Sequence, residues 1–148
     1  MASNISKIKT FPFFKMFNYQ TGKAITVSGS ESIKSCLSML ISTCRGELLG
    51  DVNFGTNIKR YIMNYKDEVL YDMIREDIVE AVLRYEKRVE ISENNIIIYK
   101  SENNPNVIRI DVNYLDKTTG EIDSLKLTLN EGEINWYGYW HIKIKCCK

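Results

Sequence analysis

Ile108-Arg109-Ile110-Asp111-Val112-Asn113-Tyr114, then Asp116-Lys117-Thr118-Thr119-Gly120, then Leu125-Lys126-Leu127-Thr128-Leu129: apolar residues occupy every second position on both sides of a turn-forming pentapeptide. Alternation sends successive side chains to opposite faces, so each run reads as a strand with one apolar face, and the pentapeptide as a hairpin turn. The short apolar run Ile96-Ile97-Ile98-Tyr99 precedes them, giving a three-stranded antiparallel meander whose apolar face must be covered. Beyond it, Ile134, Trp136, Trp140, Ile142 and Ile144 alternate against Tyr137, Tyr139, His141 and Lys143. That segment reads either as a fourth strand or as an extension that docks on something else.

Upstream of Val89 the period changes from two to that of a helix. Ile33, Leu37, Leu40, Ile41 and Cys44 form one stripe of a first helix that ends before Gly46. Ser28 and Glu31 stand at capping-box spacing before it, with Ser30 as a competing cap. Thr56 or Asn57 can cap a short second helix with Ile58, Tyr61, Ile62 and Tyr65 inward. Asp67 is placed to cap the third and longest, with Leu70, Met73, Ile74, Ile78, Ala81, Val82 and Tyr85 on its apolar stripe. The expected fold is α+β: three helices packed on one face of a small antiparallel meander sheet, with an extended N-terminal arm and a C-terminal extension. No linker or repeat divides the chain, so residues 1–148 read as a single domain, with 1–27 as arm, 28–130 as core and 131–148 as extension. In the arm, Phe11, Phe13, Phe14 and Phe17 read as aromatic anchors, and Gln20-Thr21-Gly22-Lys23 has turn chemistry.

At 148 residues the chain can bury a core without a metal or disulfide. Lysine plus arginine (20) nearly balances aspartate plus glutamate (19), and a net charge of +1 argues against a dominant nucleic-acid footprint. The balance is uneven: Lys7, Lys9, Lys15 and Lys23 fall in residues 1–30 without an acid before Glu31, which suits an arm lying on an acidic partner or a solvated terminus. No apolar run approaches a membrane span, and no secretory leader is expected, since Lys15 interrupts the run that follows Lys7 and Lys9. A cytosolic birthplace follows. Cys36 and Cys44 fall in the helical pattern as small hydrophobes. Cys146 and Cys147 are adjacent, and the one histidine, His141, leaves too few ligands for zinc, so no metal and no cofactor is expected.

Three short motifs remain: the turn Arg45-Gly46-Glu47, the helix entry Phe54-Gly55, and the helix exit Glu86-Lys87-Arg88. Together, with the Tyr19-Gln20-Thr21-Gly22 turn and at these separations, they make residues 15–130 resemble the baseplate wedge and sheath-initiator family of contractile phage tails. That family includes the T-even phage wedge protein once called a tail lysozyme and its type VI secretion counterparts. Two positions depart from the family pattern: Lys87 replaces the proline common between the glutamate and arginine, and Leu48 stands where arginine is frequent after the turn. Without proline to fix φ, the third helix is free to run one residue further.

The resemblance implies structural work in a virion: a non-enzymatic wedge component, six copies per tail baseplate, assembled in the host bacterial cytoplasm with no membrane insertion. It implies that Glu86, Lys87 and Arg88 contact neighbouring wedge proteins, and that a sheet edge receives strands from the tail sheath protein, initiating sheath polymerisation by β-augmentation. The first or last strand of the meander is the expected edge. Arg88→Ala is expected to leave the isolated domain folded, within about 1 kcal/mol, and to block its incorporation into wedges. The alternative is a peptidoglycan hydrolase of muramidase type, with Glu47 and Asp51 as the two carboxyls, one of which needs a raised pKa. A third class, nucleic-acid binding, would use Tyr99, Tyr114, Trp136, Tyr137 and Tyr139 as stacking platforms. Trp136, Tyr137, Tyr139 and Trp140 are candidate interface aromatics, or else they fold back over the domain's own sheet.

Overall fold

The computed structural model describes residues 9–12, 16–61, 67–101, 104–130 and 133–137. The alternating runs form the expected strands: β6 (Ile96–Ser101), β7 (Asn104–Asp116) and β8 (Ile122–Asn130), all antiparallel. The sheet is wider than a three-stranded meander, because β5 (Val89–Glu90) and β9 (Glu133–Tyr137) complete five strands. β5 and β6 share one side of the long β7: Val89 pairs with Asp116, and Ile96 with Val112. β8 takes the other side of β7, and β9 pairs with β8 from Lys126↔Tyr137 to Asn130↔Glu133. The segment after residue 130 therefore begins as an edge strand. Among the described residues β7 and β8 are flanked on both sides, which leaves β5 and β6 on one border and β9 on the other.

Three helices are described: α1 (Ser30–Ser42), α2 (Ile58–Tyr61) and α3 (Glu68–Tyr85). One core joins them to the sheet. Ile33, Leu37, Leu40 and Ile41 of α1 meet Leu70, Tyr71, Ile74, Ile78, Ala81 and Val82 of α3 above Ile108, Ile110, Val112 and Tyr114 of β7 and Leu125, Leu127 and Leu129 of β8. On α3 the stripe differs from expectation at one place: Tyr71 is buried and Met73 is largely exposed. The two are half a turn apart, and the bulkier ring occupies the side facing the core. Among the described residues no helix is long and apolar enough to cross a membrane.

The capping box is not formed. Ser28 lies in the two-residue strand β4 (Val27–Ser28), paired with Lys9 of β1 (Lys9–Thr10), so its backbone belongs to a ladder before the helix begins. Gly29, at φ 64°, turns the chain into α1, and the Ser30 hydroxyl donates to Asp123 Oδ2 at 2.5 Å. Asp67 does cap α3, accepting from Leu70 N at 2.9 Å. At its other end α3 stops at Tyr85 although Lys87 is no proline, with Glu86 at φ −115°, ψ 85°. Pairing of β5 with β7 two residues on draws the chain into an extended path there.

The arm is a small hairpin: β2 (Phe17–Asn18) pairs with β3 (Lys23–Ala24), closed by Gly22 N to Asn18 O at 2.8 Å. Phe11 and Phe17 are mostly exposed and anchor nothing in the core; Phe13 and Phe14 lie outside the described residues.

Candidate functional site

The motif residues separate into two polar clusters and leave a sheet border beside them. The first cluster is the loop between α1 and α2. Cys44 and Thr56 form a parallel bridge, with Arg45 N to Thr56 O at 3.2 Å and Thr56 N to Thr43 O at 2.9 Å. The buried Thr56 hydroxyl donates to Ile41 O at 2.9 Å. Gly55 is required twice over: its φ is 103°, and a Cβ there would sit 2.3 Å from Thr43 O. Phe54 packs edge-on against Tyr85 with ring centroids 5.0 Å apart. Gly46, at φ 91°, turns so that its N–H reaches Val52 O at 2.9 Å.

Arg45 fastens this loop to α3. Its Nη2 lies 2.9 Å from Asp77 Oδ1 and 2.8 Å from Glu80 Oε2, while Nε donates to Gly55 O at 3.3 Å. Asp77 is buried, and its other oxygen accepts from Asn57 N at 2.6 Å. Burial pushes the Asp77 carboxyl upward, opposed by the Asn57 N–H and Arg45. Sequence alone does not single out Asp77, which sits between Glu76 and Glu80 on a helix and resembles its solvated neighbours.

Glu47 is part of the same fastening. Its carboxylate accepts from Cys44 N at 2.7 Å and pairs with Lys59 at 3.3 Å, and the Cys44 N–H holds it below the usual glutamate range. A muramidase acid needs the opposite displacement. Asp51 accepts from the Tyr85 hydroxyl at 2.8 Å and from Asn53 N at 3.0 Å. Both carboxylates hold the loop in shape.

The second cluster is the helix exit. Arg88 Nε and Nη2 grip Glu86 Oε1 and Oε2, each at 2.7 Å, a bidentate pair. The pair is not an ordinary surface pair, because Glu86 is only 7% exposed. Arg88 Nη1 also donates to Ser32 Oγ at 3.2 Å, which accepts from Thr10 Oγ1 at 3.0 Å, and Nη2 reaches Cys36 Sγ at 3.5 Å. The corner thus ties the arm, α1 and the end of α3 together. Lys87 points outward, its Nζ donating to Leu83 O. The expected cost of Arg88→Ala is therefore too low: without Arg88 a buried carboxylate loses its partner, which costs about 3–5 kcal/mol.

The sheet border at β6 is the third feature. Ile96 directs both its backbone groups away from β7: its N–H bonds Glu93 O in the 3-10 turn Glu93–Asn95, and its C=O accepts from Arg75 Nε at 3.3 Å. Hydrogen-bonded and non-bonded pairs alternate along an antiparallel ladder, so Ile98 and Lys100 also aim their N–H and C=O outward, while Ile97 and Tyr99 bond β7. Both sides of β7 agree with this phase: Asp116 N bonds Glu121 O on the β8 side, and Lys117 N turns back to Arg88 O on the β5 side, each at 2.9 Å. Among the described residues no strand pairs with the outer side of β6.

The aromatic candidates divide. Tyr114 is buried in the core and cannot stack on a base, and the Tyr99 hydroxyl donates to Asp111 at 3.3 Å. In β9, Trp136 pairs in register with Leu127 and Tyr137 with Lys126; Tyr139 and Trp140 lie outside the described residues. Among the described residues no group of His, Cys, Asp or Glu is arranged to hold a metal ion.

The motif residues of this α+β domain fasten a loop and a helix exit, and among the described residues the outer side of β6 pairs with no strand. The model of the family described as baseplate wedge protein gp25 matches residues 27–121, more than half of the sequence, and the chain belongs to that family. It is a structural component of the tail baseplate of a virion or phage-like particle. The fold is similar to that of a Geobacter sulfurreducens protein provisionally described as a tail lysozyme, at 21% identity and a TM-score of 0.63, over 72% of this chain and 96% of that one. It is also similar to a chain of the six-fold symmetrised baseplate of the anti-feeding prophage, at 19% identity and a TM-score of 0.59, over 83% and 85% respectively. A search of curated proteins gives no match.

Proposed function

We propose that this chain anchors to neighbouring wedge proteins at its Glu86-Lys87-Arg88 corner and starts the tail sheath by accepting a sheath strand on the β6 border. The observation that carries this reading is the outward aim of the Ile98 and Lys100 backbone groups, next to the exposed side chains of Ile97 and Tyr99. Protein edges are normally blunted by charge, proline or cover; β6 carries one charge, Lys100, after four consecutive uncharged residues, Ile96 to Tyr99. Main-chain hydrogen bonds give an added strand its affinity, and alternate side chains give it register. Placing six copies around a baseplate is in keeping with the six-fold symmetry of the similar particle.

The corner supplies the rigid base that such a template needs. Glu86 and Arg88 are mutually satisfied, so they hold the geometry, while Lys87 is the group left to meet a wedge partner. The two functions separate in one reconstitution. Purified wedge proteins and sheath protein are mixed with wild type, Lys87→Glu or Lys100→Pro. Lys87→Glu keeps its melting temperature and fails to co-purify with wedge proteins; Lys100→Pro joins wedges and fails to polymerise sheath. Normal sheath formation on Lys100→Pro particles would refute strand addition at β6.

A further inference from the structure

We propose that the strand accepted at β6 is antiparallel and amphipathic, with its apolar residues on the outer face of the sheet, against Ile97 and Tyr99, and its polar residues toward α3. This rests on the reading of β6 as the accepting border and specifies what the border accepts.

A sheet covered on one face turns its apolar residues toward the cover and its polar ones to water. Away from the hairpin turn β7 and β8 obey. Their outer-face positions are Arg109, Asp111 and Asn113 on one strand, and Ser124, Lys126 and Thr128 on the other. β6 does not obey. Ile98 stands opposite Ile110 on the core face and is buried, but Ile97 and Tyr99, opposite Asp111 and Arg109 on the outer face, are 52% and 39% exposed.

That distribution is the reverse of what a free border needs. A border strand meets water at its edge as well as on its outer face, so it should be the most polar strand of the sheet. A strand added alongside β6 brings its own side chains next to Ile97 and Tyr99, and aromatic and β-branched residues paired across strands stabilise such a ladder. The helix side of the same border is charged. Arg75, bonded to Ile96 O and paired with Asp72, lies against the start of β6, and Lys100 takes the core-face position after Ile98. An apolar side chain there would strip water from charges, a cost that a polar one avoids. The accepted strand thus carries the inverse of the domain's own pattern. Every pair in the sheet is antiparallel, and an antiparallel addition continues it.

Backbone methylation fixes the phase of a test strand. A residue with a methylated nitrogen fits only where its N–H would face away from β6, which in an antiparallel pairing means opposite Ile97 or Tyr99. Two fluorescein-labelled peptides of about eight residues share one composition and carry no charged side chain: threonine alternating with N-methylvaline, and valine alternating with N-methylthreonine. The first sets valine against Ile97 and Tyr99; the second sets it toward α3.

Fluorescence anisotropy with the full chain should find the first peptide bound about two- to thirty-fold more tightly. Ile97→Thr combined with Tyr99→Thr should erase that preference, and Lys100→Pro should abolish binding of both peptides. Equal binding, tighter binding of the second, or a preference that survives the double threonine variant overturns the inference; if Lys100→Pro still abolishes binding, β6 stands as the border. Binding of neither peptide, or binding that survives Lys100→Pro, overturns both.

Discussion

Proline at two adjacent positions of β6 should have opposite consequences, although the residues are neighbours. The Tyr99 N–H belongs to the ladder with β7, whereas the Lys100 N–H faces outward. Tyr99→Pro deletes one ladder hydrogen bond, worth about 0.5–1.5 kcal/mol net, and leaves a carbonyl of β7 without its donor at a further 1–3 kcal/mol. The sum is about 1.5–4.5 kcal/mol, which in a domain of this size lowers Tm by about 3–18 °C. Lys100→Pro deletes a donor that the ladder's alternation aims away from β7, just before the register shift between Lys100 and Ser101 and after a residue that is already extended. It should cost about 1 kcal/mol or less, because edge positions with outward N–H groups tolerate proline. Thermal and chemical unfolding of the two variants measure the difference directly. Equal destabilisation would refute the assigned phase of the ladder, and the proposed border with it.

Gly55→Ala should unfold the motif loop, since the new Cβ would meet Thr43 O at 2.3 Å with φ at 103°; a loss of about 3 kcal/mol or more is expected in denaturant titration. Arg88→Ala should cost about 3–5 kcal/mol by stranding the buried Glu86 carboxylate, whereas the exposed Lys87→Ala should lie within about 0.5 kcal/mol, both read from unfolding curves. Stability should also fall in acid. Glu47 is held below its ordinary range by the Cys44 N–H and Glu80 by Arg45; for Asp123, burial pushes upward and bonds from Lys34 and Ser30 outweigh it. Depressed carboxylates stabilise the fold above their unfolded pKa, near about 4, and that contribution is lost as pH drops through the lower folded values. Asp77, displaced upward by burial, contributes in the opposite sense, so Asp77→Asn should steepen the acid loss of Tm.

The meander was legible because Ile108 to Tyr114 and Leu125 to Leu129 alternate without interruption, and a half-buried sheet imposes that period directly. The α3 stripe was legible for the same kind of reason, with Asp67 as a local cap whose partner is three residues away. Ser28 failed as a cap because pairing with Lys9 is a tertiary event that no local spacing records. The burial of Glu86 was hidden likewise: two charges at a helix exit look solvated until α1 brings Ser32 and Cys36 over them. Asp77 gave no signal, since its partner Arg45 comes from a separate loop. Which strands stand at the sheet border was unreadable until the partners of β7 were known, because β5 and β6 both lie along one side of it.

Backbone amide exchange at Ile98 and Lys100 tests the central claim most directly. In the free chain these two N–H groups should exchange quickly while those of Ile97 and Tyr99 are protected. In baseplates bearing the first sheath ring, Ile98 and Lys100 should become protected as well. Fast exchange at both positions in the sheathed particle would contradict the account.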